Sequence, residues 1–231
     1  MTQVDIAALS PQVVWQHFQT LCTIPRPSKH EQQLREFLQN WAESRNLETY
    51  VDEVGNLIIR KDATAGKEHV PGVILQGHLD MVTQANTGTV HDFFKDPIRP
   101  VLEDGWLIAK DTTLGADNGI GVALALAVLD SNDIAHGPIE VLLTVDEEAG
   151  MSGARLLQAG VLKGKWLFNI DTEEWGELYL GCAGSIDVEV EQLLNCEPIP
   201  ENLNIVNIQV VGLKGGHSGV RSEEHTSELQ S

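Results

Sequence analysis

An apolar run that ends in Gly77-His78-Leu79-Asp80 constrains the fold of this chain more than any other segment. Residues 73–75 are Val-Ile-Leu and predict a buried strand of an α/β sheet. Ligands of such sheets bind at the carboxyl ends of the strands, which is where His78 and Asp80 fall. Side chains two positions apart on a strand point the same way. One ring nitrogen of His78 can therefore bind a metal while Asp80 orients the other.

Further acidic residues follow apolar runs or open a predicted helix. Asp117 precedes a small-residue helical run, residues 146–148 are Asp-Glu-Glu after an apolar strand, and Asp171 ends another. Taken singly, these residues have simpler explanations. His78 and Asp80 could be an ordinary strand-end pair, Asp117 could cap its helix, and residues 146–148 could form a solvated turn. Carboxylates gathered at the ends of parallel strands repel one another unless a cation compensates. Together with His78, they favour a metal site.

The remaining pattern predicts an α/β catalytic domain followed by a second domain. Amphipathic helices are predicted to begin at Ser10-Pro11 and at a capping box formed by residues 28–31. Residues 48–60 and 101–110 predict hairpins. After Gly184 the sequence alternates between apolar and polar residues, which is typical of half-buried strands in an antiparallel sheet.

Four segments resemble a known family of enzymes. They are Gly77–Val82, Thr113–Gly121, Glu147–Met151 and Gly181–Gly184. Their sequences are similar to the di-zinc peptidases and deacylases related to aminoacylase and glutamate carboxypeptidase. Within these, they resemble the bacterial aminoacyl-histidine dipeptidases, also called cytosolic non-specific dipeptidases. The resemblance implies a mixed, mostly parallel α/β sheet flanked by helices, and hydrolysis of dipeptides with a free amino terminus, such as Xaa-His.

The resemblance also implies a role for each site residue. The implied metal ligands are His78, Asp117, Glu148 and Asp171. Asp117 would bridge two Zn²⁺ ions, for which Mn²⁺ or Co²⁺ could substitute, while Glu147 would be the general base and Asp80 would orient His78. His217, within Gly215–Gly219, matches the motif of the family's α+β lid domain and would bind the substrate across a homodimer. The residues alone leave a simpler alternative, a glycine-rich turn with a solvent-facing histidine.

The resemblance suggests three parts of the chain. Residues 1–185 are interpreted as the catalytic domain without its C-terminal part, and residues 186–220 as the first strands of the lid. Residues 221–231 lack apolar periodicity and resemble a translated sequencing adapter, so we interpret them as a non-native tail. On this interpretation the chain is a truncated fragment without the family's last histidine ligand, and we expect it to be inactive as written.

Composition limits the partners and the compartment. The net charge of −19 disfavours nucleic acids and anionic membranes as partners. The three cysteines show no paired framework, which fits a reducing compartment. The first residues show no signal-peptide pattern, and no stretch is long and apolar enough to span a bilayer. We therefore expect a cytoplasmic protein, and the resemblance implies that its partner is a small peptide substrate.

Two alternatives remain at this point. An N-acyl amino acid deacylase or an aminotripeptidase would use the same scaffold. A non-catalytic metal- or peptide-binding module belongs to another class, and Glu147 argues against it. A purely structural zinc site has no use for an uncoordinated glutamate beside its ligand.

Overall fold

The structure, a computed structural model, describes residues 6–172, 174, 176–182, 184, 189–193 and 206. The chain divides into two units, Met1–Glu177 and Leu178–Ser231. The domain boundary predicted between residues 185 and 186 stays a prediction. The tail predicted at residues 221–231 lies outside the described residues.

Seven strands and five α-helices are described in the first unit. The strands are β1 (Glu48–Val51), β2 (Leu57–Lys61), β3 (Val73–His78), β4 (Pro100–Glu103), β5 (Trp106–Ala109), β6 (Ile139–Thr144) and β7 (Trp166–Asn169). The helices are α1 (Gln12–Cys22), α2 (Gln32–Glu43), α3 (Ala116–Asp130), α4 (Glu147–Gly150) and α5 (Ser152–Arg155). Among the described residues, no helix combines the length and the apolar character that crossing a membrane requires.

The main sheet has five strands in the order β1-β2-β6-β3-β7. Strand β3 runs parallel to both of its neighbours, β6 and β7, while β1 and β2 are added in antiparallel pairings. The predicted mixed α/β sheet flanked by helices is confirmed. Strands β4 and β5 form a separate antiparallel pair, as the hairpin prediction for residues 101–110 required.

Apolar side chains cover both faces of the sheet. Strand β6 is buried at every position, because Val141 and Leu143 pack into the larger core while Leu142 packs into a smaller cluster on the opposite face. The larger core also contains the buried apolar faces of α1, α2 and α3, for example Phe18, Leu38, Leu126. This burial on two faces explains why β3 and β6 read as continuous apolar runs in the sequence.

The register of the parallel strands places their carboxyl ends at one edge of the sheet. His78 of β3 pairs with Thr144 of β6, and Gln76 of β3 pairs with Asn169 of β7. The residues that follow each strand therefore emerge side by side. The edge brings together the polar segments after β3, β6 and β7, which are far apart in the sequence.

The capping box predicted for residues 28–31 is wrong. Helix α2 begins at Gln32, and Glu31 occupies its N-cap position without a side-chain capping bond. The Ser28 hydroxyl instead donates to Asp80 at 2.7 Å, and the Glu31 carboxylate accepts the backbone N–H of Asp146 at 2.8 Å. Buried tertiary partners therefore replace the local cap, and the segment serves the edge where the strands end.

Candidate metal centre

His78 lies at the centre of the acidic residues that the sequence singled out. Its side chain is almost fully buried at the end of β3. Its Nε2 atom lies 2.9 Å from Oδ1 of Asp117, 3.6 Å from Oδ2 of Asp171 and 3.9 Å from Oε2 of Glu147. One imidazole nitrogen therefore faces carboxylates from α3, from the segment after β7 and from α4.

Three of the predicted ligands converge closely enough to hold one metal ion. Single donor atoms of His78, Asp117 and Glu148 lie within 4.8 Å of one another. Imidazole nitrogen and carboxylate oxygen are donors that Zn²⁺ accepts, and Mn²⁺ accepts them too. Asp171, whose carboxylate approaches the same imidazole nitrogen, extends the set. The chemistry of these donors fits the predicted metal.

Asp80 joins the histidine to the start of helix α4. Its Oδ1 atom lies 3.3 Å from Nδ1 of His78 and accepts the backbone N–H of Glu147 at 3.0 Å. Its Oδ2 atom accepts the backbone N–H of Glu148 at 3.0 Å and the Ser28 hydroxyl at 2.7 Å. Asp80 therefore lies against the imidazole and fixes the backbone that carries both glutamates. Its role in orienting His78 stays a prediction.

These hydrogen bonds keep Asp80 ionised although it is fully buried. Burial alone would raise the pKa of Asp80, but hydrogen bonds from His78, Ser28 and the N–H of Glu147 lower that pKa to about 2. A carboxylate that is ionised at neutral pH can accept the Nδ1 proton of His78. The Nε2 atom, which faces the other carboxylates, is then the nitrogen available to a metal.

Burial and neighbouring negative charges raise the pKa values of the other carboxylates. Burial and the charge of Asp117 raise the pKa of Glu148 to about 7. Burial raises the pKa of Asp171 to about 6, and the charge of Asp117 adds to this rise. Burial would lower the pKa of His78, but its hydrogen bonds to Asp117 and Asp80 raise it to about 10. A bound cation would relieve this repulsion and take the place of the imidazole proton.

The raised pKa of Glu148 predicts a pH dependence for the metal-free protein. The unfolded chain releases this proton near 4.5, whereas the folded protein holds it up to about pH 7. The folded state therefore binds more protons in this window, and the free energy of unfolding falls as the pH rises through it. Glu148→Gln removes the titrating group. We expect wild type to lose stability relative to the variant between about pH 4.5 and pH 7.

Urea unfolding at a series of pH values, with a chelator present, measures this difference. Glu177→Gln, which changes a glutamate outside the cluster, is the control and should follow wild type. If the free energy of unfolding changes with pH in the same way for wild type and Glu148→Gln, the carboxylate of Glu148 does not have the raised pKa that we assign to it.

Asn118 is a site residue that the sequence reasoning missed. Its Oδ1 atom accepts the backbone N–H of His78 at 3.3 Å. Its Nδ2 atom donates to Asp171 at 2.9 Å and to the carbonyl of Ile170 at 2.7 Å. Asn118 thus connects the ends of β3 and β7 beneath the cluster. Its position next to Asp117, at the start of a helix facing the sheet, was the one available signal.

The remaining predicted site residue is His217. It lies outside the described residues, so its predicted role in substrate binding stays a prediction. The other six predicted residues, His78, Asp80, Asp117, Glu147, Glu148 and Asp171, meet at the edge of the sheet where β3, β6 and β7 end.

The chain is similar in sequence to known peptidases. Residues 74–218 match the sequence profile of the Peptidase family M20/M25/M40. The chain is 52% identical over 215 residues to the cytosol non-specific dipeptidase of Escherichia coli (strain K12), a match that covers 93% of this chain and 44% of the relative. It is 44% identical over 77 residues to peptidase T of Salmonella arizonae, covering 31% of this chain and 19% of that protein.

The fold is also similar to solved peptidase structures. The crystal structure of aminoacylhistidine dipeptidase from Vibrio alginolyticus superimposes with a TM-score of 0.76 and 54% identity, over 78% of this chain and 36% of that one. A tripeptidase from Staphylococcus aureus superimposes with a TM-score of 0.61 and 26% identity, over 72% of this chain and 44% of that one. The chain thus spans less than half the length of these relatives.

Proposed function

The chain belongs to the Peptidase family M20/M25/M40, and we propose that the intact protein is a metal-dependent dipeptidase that acts on dipeptides with a free amino terminus. The observation that carries this proposal is the division between two adjacent glutamates. Glu148 joins His78 and Asp117 in the group that could hold a metal, while the carboxylate of Glu147 lies 3.9 Å from the same imidazole. A ligand and a proton acceptor can therefore stand side by side.

The proposed cofactor is a pair of Zn²⁺ ions, with Mn²⁺ or Co²⁺ as substitutes. His78 and Asp171 would belong to one ion, Glu148 to the other, and Asp117 to both. The three converging donors, His78, Asp117 and Glu148, would therefore be shared between two ions. When bound, such a pair lowers the pKa of a water molecule and polarises the carbonyl of the scissile peptide bond. Burial and the negative charge of Asp117 raise the pKa values of Glu148 and Asp171, and this supports the proposal because a bound cation would stabilise both carboxylates in their ionised form.

The proposed general base is Glu147. Its carboxylate would accept the proton of the attacking water and pass it to the amine that leaves. Its backbone N–H is held by Asp80 at 3.0 Å, so the residue starts α4 at a fixed point beside the ligands. This placement also argues against a non-catalytic binding module, in which a second glutamate beside the metal group would have no role.

The family resemblance also suggests a cellular compartment and an oligomeric state. We propose that the protein works in the cytoplasm and forms a homodimer in which His217 reaches the substrate and stabilises the oxyanion. The family resemblance of Gly215–Gly219 supports this role.

A panel of substrates tests the proposed function. The intact protein, loaded with Zn²⁺ or Mn²⁺, is expected to hydrolyse Xaa-His and other unblocked dipeptides and to leave N-acetylated dipeptides intact. Chromatography of the reaction mixture measures the hydrolysis as the release of free amino acids. Hydrolysis confined to N-acyl amino acids would establish a deacylase instead, and peptide binding without turnover would establish a binding module.

A second candidate is an aminotripeptidase. The structural similarity to the Staphylococcus aureus tripeptidase, with 26% identity and a TM-score of 0.61, favours it. The higher identity to the dipeptidases, 52% and 54%, places it second. Comparison of kcat/KM for Ala-His and Ala-Ala-His under the same conditions separates the two, because an aminotripeptidase would prefer the longer peptide.

A further inference from the structure

Arg26 is a buried cation next to the candidate metal centre. It has no part in the proposed reaction. It lies between α1 and α2, and only 3% of its surface is exposed. Its Nη1 atom donates to the carbonyl oxygens of Leu79 at 2.9 Å and Asp80 at 2.8 Å. Its Nη2 atom donates to the carbonyl oxygen of Gly115. Burial of a guanidinium is costly, so these three bonds offset a substantial desolvation penalty.

One of these carbonyls also faces the predicted histidine ligand. The carbonyl oxygen of Asp80, which accepts from Arg26, lies 3.1 Å from Nδ1 of His78. The guanidinium therefore fixes an acceptor against which the imidazole is oriented. Nδ1 therefore faces two oxygens of Asp80, this carbonyl and the carboxylate Oδ1 at 3.3 Å, and the orientation of Nε2 toward the other carboxylates depends on Nδ1 keeping these partners.

The other nitrogen of the guanidinium holds a different segment. Gly115 directly precedes helix α3, two positions before Asp117. A Cβ atom added at Gly115 would lie 2.6 Å from Nη2 of Arg26, and one added at Gly119 would lie 2.8 Å from it. The two glycines therefore leave the space that the guanidinium occupies. The start of α3 is shaped around Arg26.

We propose that Arg26 is a positioning residue of the metal centre: its two terminal nitrogens hold the segment with His78 and Asp80 at a fixed separation from the segment with Asp117. This inference rests on the proposed metal-binding role of those residues. Arginine suits the task because the planar guanidinium presents separate donors to two chain segments. A lysine ammonium is a single point of charge and cannot span both segments in the same geometry.

Two substitutions of Arg26 test the proposal through metal binding alone. Arg26→Lys keeps the charge and loses the fork, while Arg26→Met loses both. We expect both variants to bind Zn²⁺ roughly 10–100-fold more weakly, the range found when partners that orient a ligand are removed. Competition with a chromophoric chelator measures the affinity. The visible absorption of Co²⁺ added to the same variants reports the altered ligand geometry.

Arg60→Lys is the matched control. Arg60 also has three hydrogen-bonding partners, Glu48, Glu140 and the carbonyl of Val161, but it joins β1, β2 and β6 away from the cluster. We expect this variant to lose stability and to keep the wild-type affinity for Zn²⁺ and the wild-type Co²⁺ spectrum. Gly119→Ala provides a further test without a change of charge, because its methyl group would lie 2.8 Å from Nη2 of Arg26, closer than to its other near neighbour, Cε2 of Phe18 at 3.1 Å. It should also weaken Zn²⁺ binding.

The outcomes separate a positioning role from a structural one. If Arg26→Lys and Gly119→Ala lower the thermal midpoint but bind Zn²⁺ as tightly as Arg60→Lys does, the proposal is overturned. These measurements do not depend on turnover. A wild-type protein that binds Zn²⁺ but cleaves no peptide would overturn the proposed function, while weaker binding by the Arg26 variants would still support this inference.

Discussion

Replacing Glu147 by glutamine is expected to lower kcat on a dipeptide by roughly 10²–10⁴-fold, the contribution of a positioned general base. The amide has nearly the same shape as the carboxylate but cannot accept the proton of water. The backbone N–H of residue 147 can still donate to Asp80, so the start of α4 should be kept. Zn²⁺ content is therefore expected to equal that of wild type, which elemental analysis of the purified protein measures.

The neighbouring substitution Glu148→Gln is the matched control for this prediction. It changes the same chemical group one position along the same short helix, but Glu148 belongs to the group that could hold the metal. We expect its main effect to be on metal content, with activity partly restored by excess Zn²⁺. If Glu147→Gln loses the metal and Glu148→Gln keeps it, the two assigned roles must be exchanged.

The convergence of the acidic residues could be predicted because it depends on local patterns. Apolar runs identify the strands β3, β6 and β7, and the residue after each run identifies what stands at its end. Parallel pairing then brings these ends to one edge. The sequence does not show the register of the strands. In the structure His78 pairs with Thr144, and this register brings the ends of β3 and β6 together.

Long-range polar contacts could not be predicted in the same way. The spacing of Ser28 and Glu31 matches a capping box, and nothing local reveals that their partners are Asp80 and Asp146, 52 and 115 positions away. Arg26 likewise bonds to carbonyls 53, 54 and 89 positions away. Backbone carbonyls carry no sequence signature. The residues that position a site are therefore harder to find in a sequence than the residues that form it.

Zinc is expected to stabilise the folded protein, and Asp117→Asn is expected to remove most of that stabilisation. At a free Zn²⁺ concentration of 100 times Kd, binding adds about 2.7 kcal/mol to the free energy of unfolding. Asp117 contacts His78 at 2.9 Å and belongs to the converging group, so its loss should weaken binding at least as much as the loss of an orienting partner, about 100-fold. At the same Zn²⁺ concentration only about 0.4 kcal/mol would then remain.

Urea unfolding with and without Zn²⁺ measures this difference, and Asp92→Asn is its control. Asp92 is a partly exposed carboxylate outside the converging group, and it pairs with Lys95 at 2.9 Å. Asp92→Asn removes the same charge as Asp117→Asn and leaves the converging group intact. Because surface ion pairs contribute little, this variant should keep the full zinc stabilisation. If Asp117→Asn were stabilised by Zn²⁺ as strongly as Asp92→Asn, Asp117 could not be a ligand shared between two ions.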